Sequence, residues 1–181
     1  PDPGRRRYGE LVFVGGFKHD PNVDAMLYFC SEVLPRITAV SPQVRLKIIG
    51  SNPPQAIQAL SSDTVEILGY VPETAPYLES AYISVAPLRY GGGMKGKVGE
   101  AMSYGLPVVS TSFGAEGFGL TPGTHILLGD TAEDFAEQVI ALLENAILHG
   151  RIARHGYNFI AQHYSVPAVD RLLEHAMQRP I

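Results

Sequence analysis

The chain holds a single cysteine, Cys30, among 181 residues. No intrachain disulfide and no cysteine-based zinc cage can form. Cys30 lies in the apolar helical stretch Met26-Leu27-Tyr28-Phe29-Cys30, where a thiol behaves as a small buried hydrophobe. A basic excess is also missing: 14 Lys and Arg stand against 18 Asp and Glu, a formal net charge of −4. Non-specific nucleic-acid binding depends on surplus Lys and Arg, so nucleic acid is excluded as a partner; a local basic site for one small phosphorylated ligand is not. No apolar run reaches the ~20 residues of a membrane helix. Nor does an apolar region follow Pro1-Asp2-Pro3-Gly4-Arg5-Arg6-Arg7, as a signal peptide would need. The expected setting is soluble, reducing and cytoplasmic, with membrane association left open for a longer protein. His125, His149, His155, His163 and His175 lack the spacing of a metal trio with carboxylates, so no metal is expected. Internal repeats and low-complexity segments are absent.

What is present is core-forming material: 45% of residues are hydrophobic and 18% charged, in a length suited to one α/β domain. Short apolar runs alternate with amphipathic stretches. Strands are expected at Leu11-Val12-Phe13-Val14, Arg45 to Ile49, Val65 to Leu68, Tyr82 to Ala86, Pro107 to Ser110 and His125 to Leu128. Helices are expected from Asp20, as N-cap ahead of Pro21, to about Ile37, and over Gln55 to Leu60, Glu73 to Ser80 and Gly96 to Tyr104. Asp130 or Thr131 caps the next helix, where Phe135, Val139 and Leu142-Leu143 recur with helical period. Two further helices follow, from Arg151 to Gln162 and from Val166 to Met177. Apolar strands alternating with helices predict an α/β, Rossmann-like, doubly wound parallel sheet of about six strands with helices on both faces. Ligands of such sheets bind beyond the carboxyl ends of the strands. Two loops therefore matter: Gly15 to Asp20 and Gly91 to Lys97.

The second loop is the more informative. In Gly91-Gly92-Gly93-Met94-Lys95-Gly96-Lys97-Val98-Gly99-Glu100, the glycines let backbone approach a ligand, and the helix that follows offers unpaired N–H groups. Lys95 and Lys97 add two positive charges at that helix start, which makes an anion site suited to a diphosphate. On an ideal helix Lys97, Glu100 and Tyr104 share one face, while Val98, Ala101 and Met102 turn toward the sheet. Glu100 then stands one turn beyond the phosphate site, placed to accept two sugar hydroxyls. The same residues match two other patterns. Gly91-x-Gly93-x-x-Gly96, with Glu116 twenty positions on, spells a dinucleotide fingerprint, but after the fourth strand instead of the first. Gly91-x-x-x-x-Gly96-Lys97 begins a nucleotide-hydrolase loop but continues with Val98, where Ser or Thr should hold magnesium. A solvated glycine-rich turn is the plain alternative.

The order from the glycine loop through Lys97, Glu100-Ala101-Met102 and Gly105-Leu106-Pro107-Val108-Val109-Ser110-Thr111 resembles the donor-binding domain of GT-B glycosyltransferases, group 1 (family 4-like). Val14-Gly15-Gly16-Phe17, His19 to Ala25, Gly69-Tyr70-Val71-Pro72 and Gly114-Ala115-Glu116-Gly117 agree, so the likeness spans Leu11 to about Tyr164. It implies that Glu100 binds the ribose of a nucleoside diphosphate sugar and that Lys97 and Lys95 neutralise its diphosphate. Amides of Gly15 and Gly16 would approach phosphate or sugar, with Lys18 adding charge. The Tyr70-Val71 backbone would face the base, and Gly93, Met94 and Gly96 would line the donor. Two features depart from the family. A carboxylate often found eight positions before the glutamate is replaced by Gly92, which leaves the sugar open, and the basic residues common in the first loop correspond roughly to Gly16 and Asn22.

The activity so implied is retaining transfer of a sugar to a sugar or lipid-linked acceptor, as in polysaccharide assembly, with no cofactor and no metal. Acceptor groups would belong to an N-terminal domain. Residues 1–10 are then a linker remnant, 11–164 the nucleotide-sugar-binding domain and 165–181 a C-terminal helix, inactive without that partner domain. The alternatives are a non-catalytic Rossmann-like interaction module and an NAD(P)-binding oxidoreductase domain.

Overall fold

The computed structural model describes residues 3–165. The helix expected over Val166 to Met177, nearly all of the 165–181 segment and His175 lie outside them. After a short 3-10 turn at Pro3–Arg5 the order is β1 (Glu10–Val14), α1 (Asp20–Tyr28), a π turn (Phe29–Val33), α2 (Leu34–Val40), β2 (Arg45–Ile49), α3 (Gln55–Gln58) and β3 (Val65–Gly69). Then come α4 (Ala75–Ser80), β4 (Ile83–Ala86), α5 (Gly96–Ser103), β5 (Val108–Ser110), β6 (Leu127–Leu128), α6 (Ala132–Glu144) and α7 (Ala146–His163). The strands form one six-stranded sheet in the order β3-β2-β1-β4-β5-β6, parallel throughout. This is the expected Rossmann-like doubly wound fold.

Side chains alternate across each strand, so one strand feeds both faces of the sheet. Leu11 and Phe13 of β1 join Met26, Phe29, Ile37, Phe135 and Val139 on the face covered by α1, α2 and α6. Val12 joins Leu78, Val98, Ala101, Met102 and Ile160 on the face covered by α4, α5 and α7. The expected sheet-facing stripe of α5 is therefore correct: Val98 and Ala101 are 0% exposed and Met102 1%. Burial of each larger side chain, such as Val98 or Met102, contributes roughly 1.5–3 kcal/mol.

Several boundaries differ from expectation for local reasons. His19, with extended backbone (φ −101°, ψ 111°), takes the cap position of α1, and Asp20 is the first helical residue. There its carboxylate still complements the positive helix end. The helix runs past Ile37 but widens into the π turn at Phe29–Val33, just ahead of Pro35. Proline has no N–H and crowds the carbonyl four residues back, and the wider turn absorbs that. Of the two candidate caps before α6, Thr131 does the work, accepting from the Asp134 N–H at 3.1 Å. Asp130 instead accepts from the amide and hydroxyl of Ser112, both at 2.7 Å. α7 begins at Ala146 instead of Arg151 because the Asn145 side chain accepts from the Leu148 N–H at 2.9 Å. β6 is limited to Leu127–Leu128, and Ile126 pairs only with Pro122.

Candidate functional site

In this strand order the chain leaves β1 toward β2 and β3 on one side and returns to β4 on the other. The carboxyl ends of β1 and β4 thus mark the point where the order reverses, the place at which sheets of this kind hold a ligand in a crevice. The two loops singled out from sequence are the two that border it.

Lys97, in the first turn of α5, bridges them. Its Nζ donates to Asn22 Oδ1 and lies 4.4 Å from the centre of the Phe13 ring. A Cβ on Gly15 would come within 2.7 Å of the same nitrogen, so a side chain there would push the lysine amine from its place. Asn22 is buried, and its Nδ2 donates to the Gly16 carbonyl at 2.7 Å, tying lysine and first loop into one unit. Among the described residues no carboxylate pairs with Lys97. Burial, and then the neighbouring Lys95 ammonium, hold its pKa down from 10.5 to about 7. An uncompensated ammonium beside free helix N–H groups is a strong electrostatic sink for an incoming anion.

Lys95 is placed differently. Its Nζ donates to the carbonyls of Gly91, at 2.6 Å, and of Gly93. It thereby closes a loop in which Gly91 (φ 105°) and Gly93 (φ 78°) adopt the left-handed region that favours glycine. Gly91 also abuts Pro21 at the start of α1, and Gly117 abuts Met94. Behind this loop, Arg89 grips Asp24 through Nε at 2.9 Å and through Nη2, and its guanidinium lies 4.6 Å over the Tyr28 ring. The glycine loop is therefore anchored on both sides.

Glu100, one turn beyond Lys97, accepts from the Thr74 hydroxyl at 2.5 Å. Thr74 ends the loop that follows β3, so this bond draws the loop containing Tyr70 and Val71 toward α5. Tyr70 is 73% exposed and Val71 half-buried. Gly93, Met94 and Gly96 are exposed on the same border. The structure thus brings together Gly15, Gly16, Lys95, Lys97 and Glu100, with Tyr70 and Val71 adjoining through Thr74. Lys18 stands apart: it is exposed, with no hydrogen bond or ion pair among the described residues. Glu116 is likewise exposed, and the glycine fingerprint follows β4 while β1 is followed by Gly15-Gly16-Phe17, so the dinucleotide pattern is misplaced.

Sequence reading overlooked Asn22 as a partner of Lys97, Thr74 as a partner of Glu100, and Arg6. Arg6 donates through Nη1 to the carbonyls of Leu78 and, at 3.1 Å, Ala81, and through Nη2 to that of Tyr104. It joins the C-terminal ends of α4 and α5, opposite the crevice. None of these contacts leaves a local signal, because the partners are 26 to 98 positions apart. Elsewhere, His149 stacks on Tyr82 at 4.0 Å between ring centres, and desolvation first of all lowers its pKa. Among the described residues no group of His, Cys, Asp and Glu is arranged to hold a metal, and no helix is long and apolar enough to cross a membrane.

Fold and site together define an open parallel α/β sheet with a lysine and a helix N-terminus gathered at its reversal point. The model of the glycosyl transferases group 1 family matches residues 9–145, and the chain belongs to that family. A Klebsiella pneumoniae protein described as an uncharacterized 44.6 kDa protein in the cps region is 26% identical over 168 residues, covering 85% of this chain and 42% of its own length. The chain thus spans well under half of that relative. The C-terminal domain of a Francisella tularensis group 1 glycosyl transferase, LpcC, superposes with a TM-score of 0.67 at 16% identity, over 87% of this chain and 86% of that one. TarM of S. aureus, solved with UDP and alpha-GlcNAc-glycerol, gives 0.76 at 16% identity, over 95% of this chain and 36% of that one. Anabaena HepE with UDP and glucose gives 0.75 at 14%, over 95% and 48%. At these identities the superpositions establish the fold, which is that of one half of the GT-B glycosyltransferases.

Proposed function

We propose that the crevice holds a nucleoside diphosphate sugar and that the chain is the donor-binding part of a retaining glycosyltransferase. The observation that supports this most directly is Lys97: a half-buried ammonium with no carboxylate partner among the described residues, at the start of α5 and against Gly15. The diphosphate would lie between the α5 N–H groups and the Gly15-Gly16 loop. Glu100 would accept the ribose hydroxyls, and the Tyr70-Val71 backbone would face the base. UDP in the TarM and HepE complexes supports a nucleotide donor for this fold.

As the bond between sugar and diphosphate breaks, negative charge builds on the leaving phosphate. Lys97 and the helix end would stabilise that charge without a metal, because they are already oriented before it develops. Acceptor groups would come from an N-terminal domain, with a sugar or lipid-linked hydroxyl as acceptor. The cps-region relative suits polysaccharide assembly in the cytoplasm as the setting. The fragment alone would bind donor without turning it over.

Isothermal titration with UDP, GDP, ADP, CDP and TDP tests the reading. One of them is expected to bind, and Lys97→Ala and Glu100→Ala to weaken it. A folded chain that takes up none of the five would overturn the proposal. Closure of the glycine loop by Lys95 on its own carbonyls favours a second reading, a non-catalytic interaction module. That reading expects no heat with any nucleotide, and the same titration separates the two.

A further inference from the structure

Thr74 occupies the cap position of α4 yet its hydroxyl makes no capping bond. The reason is local. Pro76, the second helical residue, has no N–H to offer, and the N–H groups of Tyr77 and Leu78 both go to the Thr74 carbonyl, each at 3.1 Å. The hydroxyl is thereby released from the role that makes threonine favourable at a helix start. It turns across 26 positions of sequence to donate to Glu100 Oε1 at 2.5 Å. Glutamate has three rotatable bonds, and the rest of its surroundings on α5 leave the carboxylate half-exposed. That hydrogen bond restricts the carboxylate through Oε1 and leaves Oε2 without a hydrogen-bond partner among the described residues.

We infer that Thr74 is a positioning residue for Glu100, holding the carboxylate ready for the two ribose hydroxyls and coupling the base-side loop to the sugar-side helix. The inference rests on the donor-binding reading above. It adds that selectivity for a ribonucleotide is set by a pair of residues, one on each side of the crevice, and not by the glutamate alone. Glu100 touches the pentose; Thr74 acts through Glu100. Because the hydroxyl removes rotamer freedom from a side chain that would otherwise be ordered on binding, its loss costs about fivefold in affinity, felt only by ligands that present the hydroxyls.

The experiment is calorimetric titration of the chain with the tightest binder among UDP, GDP, ADP and CDP, with its 2′,3′-dideoxy counterpart, and with inorganic pyrophosphate. Thr74→Val is expected to weaken the ribonucleotide about fivefold while leaving the dideoxynucleotide and pyrophosphate unchanged, and Thr74→Ser to restore wild-type binding. Combined with Glu100→Gln, which removes the preference for the ribonucleotide, Thr74→Val should have no further effect. Pyrophosphate binding reports on folding, since it needs Lys97 and not Glu100. If Thr74→Val does not fold, Thr74→Ala, with no branched side chain to place, faces the same expectation. Unchanged or tighter ribonucleotide binding in the Thr74 variant, or an equal loss for both nucleotides, would overturn the inference while leaving the donor site standing. A wild-type chain that does not distinguish ribonucleotide from dideoxynucleotide would instead remove the role of Glu100, and this inference with it.

Discussion

The two ends of α5 use positive charge in opposite ways. At its C-terminal end the Arg6 guanidinium is committed to backbone: it serves Leu78, Ala81 and Tyr104, carbonyls that α4 and α5 leave without intrahelical partners. At the N-terminal end Lys97 reaches, among the described residues, a neutral amide, Asn22, and an aromatic face. Both cations are partly desolvated, and burial lowers both pKa values. The arginine remains protonated and is answered by helix-end carbonyls; the lysine is held at about 7 with no carboxylate paired to it among the described residues. A buried cation answered by carbonyls organises the fold, whereas one left unanswered at the edge of a crevice is disposed to receive a ligand.

The largest test of that contrast is Lys97→Met. It is expected to lower nucleoside diphosphate affinity by about 1.5–3 kcal/mol, roughly 10- to 150-fold, through loss of charge-assisted hydrogen bonds. The same change should stabilise the free chain, because it removes a desolvated ammonium. About 1 kcal/mol of relief would raise Tm by about 2–4 °C in a protein of this size. Calorimetry and thermal melts of one variant thus report opposite signs.

Arg6→Ala should do the reverse. It leaves helix-end carbonyls unanswered, at a cost of about 2 kcal/mol or roughly 4–8 °C in Tm, with nucleotide affinity at low temperature close to wild type. A collapse of affinity in a fully folded Arg6 variant would break the division between the two ends.

Changing pH sharpens the comparison. The free-chain pKa of Lys97 is about 7, against an ordinary 10.5, so above neutrality the unfolded chain holds a proton that the folded chain has lost. Stability therefore rises from pH 7 toward 10 on account of this group. Binding of an anion requires the proton back, so affinity for a nucleoside diphosphate sugar should fall by up to about tenfold per pH unit above 7. Titrations in buffers of different ionisation enthalpy should show proton uptake. Asn22→Asp, which supplies the missing carboxylate, should abolish that uptake and weaken binding. The smallest effect is expected from Lys95→Gln, only a few-fold in affinity, since Lys95 already spends its hydrogen bonds on Gly91 and Gly93.

Much of this was legible in the chain itself. The parallel sheet followed from wholly apolar strands alternating with helices, and the sheet-facing stripe of α5 from its helical period. The diphosphate candidates Lys95 and Lys97 followed from their place at a glycine-rich helix start. What failed were element boundaries, such as the cap of α1 at His19 and the start of α7, which the Asn145 side chain moves from Arg151 to Ala146.

By itself, then, the sequence determined which residues were chemically able to meet an anion and which loops carry them, because period, glycine content and charge are properties of neighbours along the chain. Only the tertiary structure decided that Lys97 rests on Asn22, that Glu100 is oriented by Thr74 and that Lys95 closes its own loop. Whether a charge is answered, and by what, depends on groups brought together across the sheet's reversal point, and no pattern local to the chain encodes that meeting.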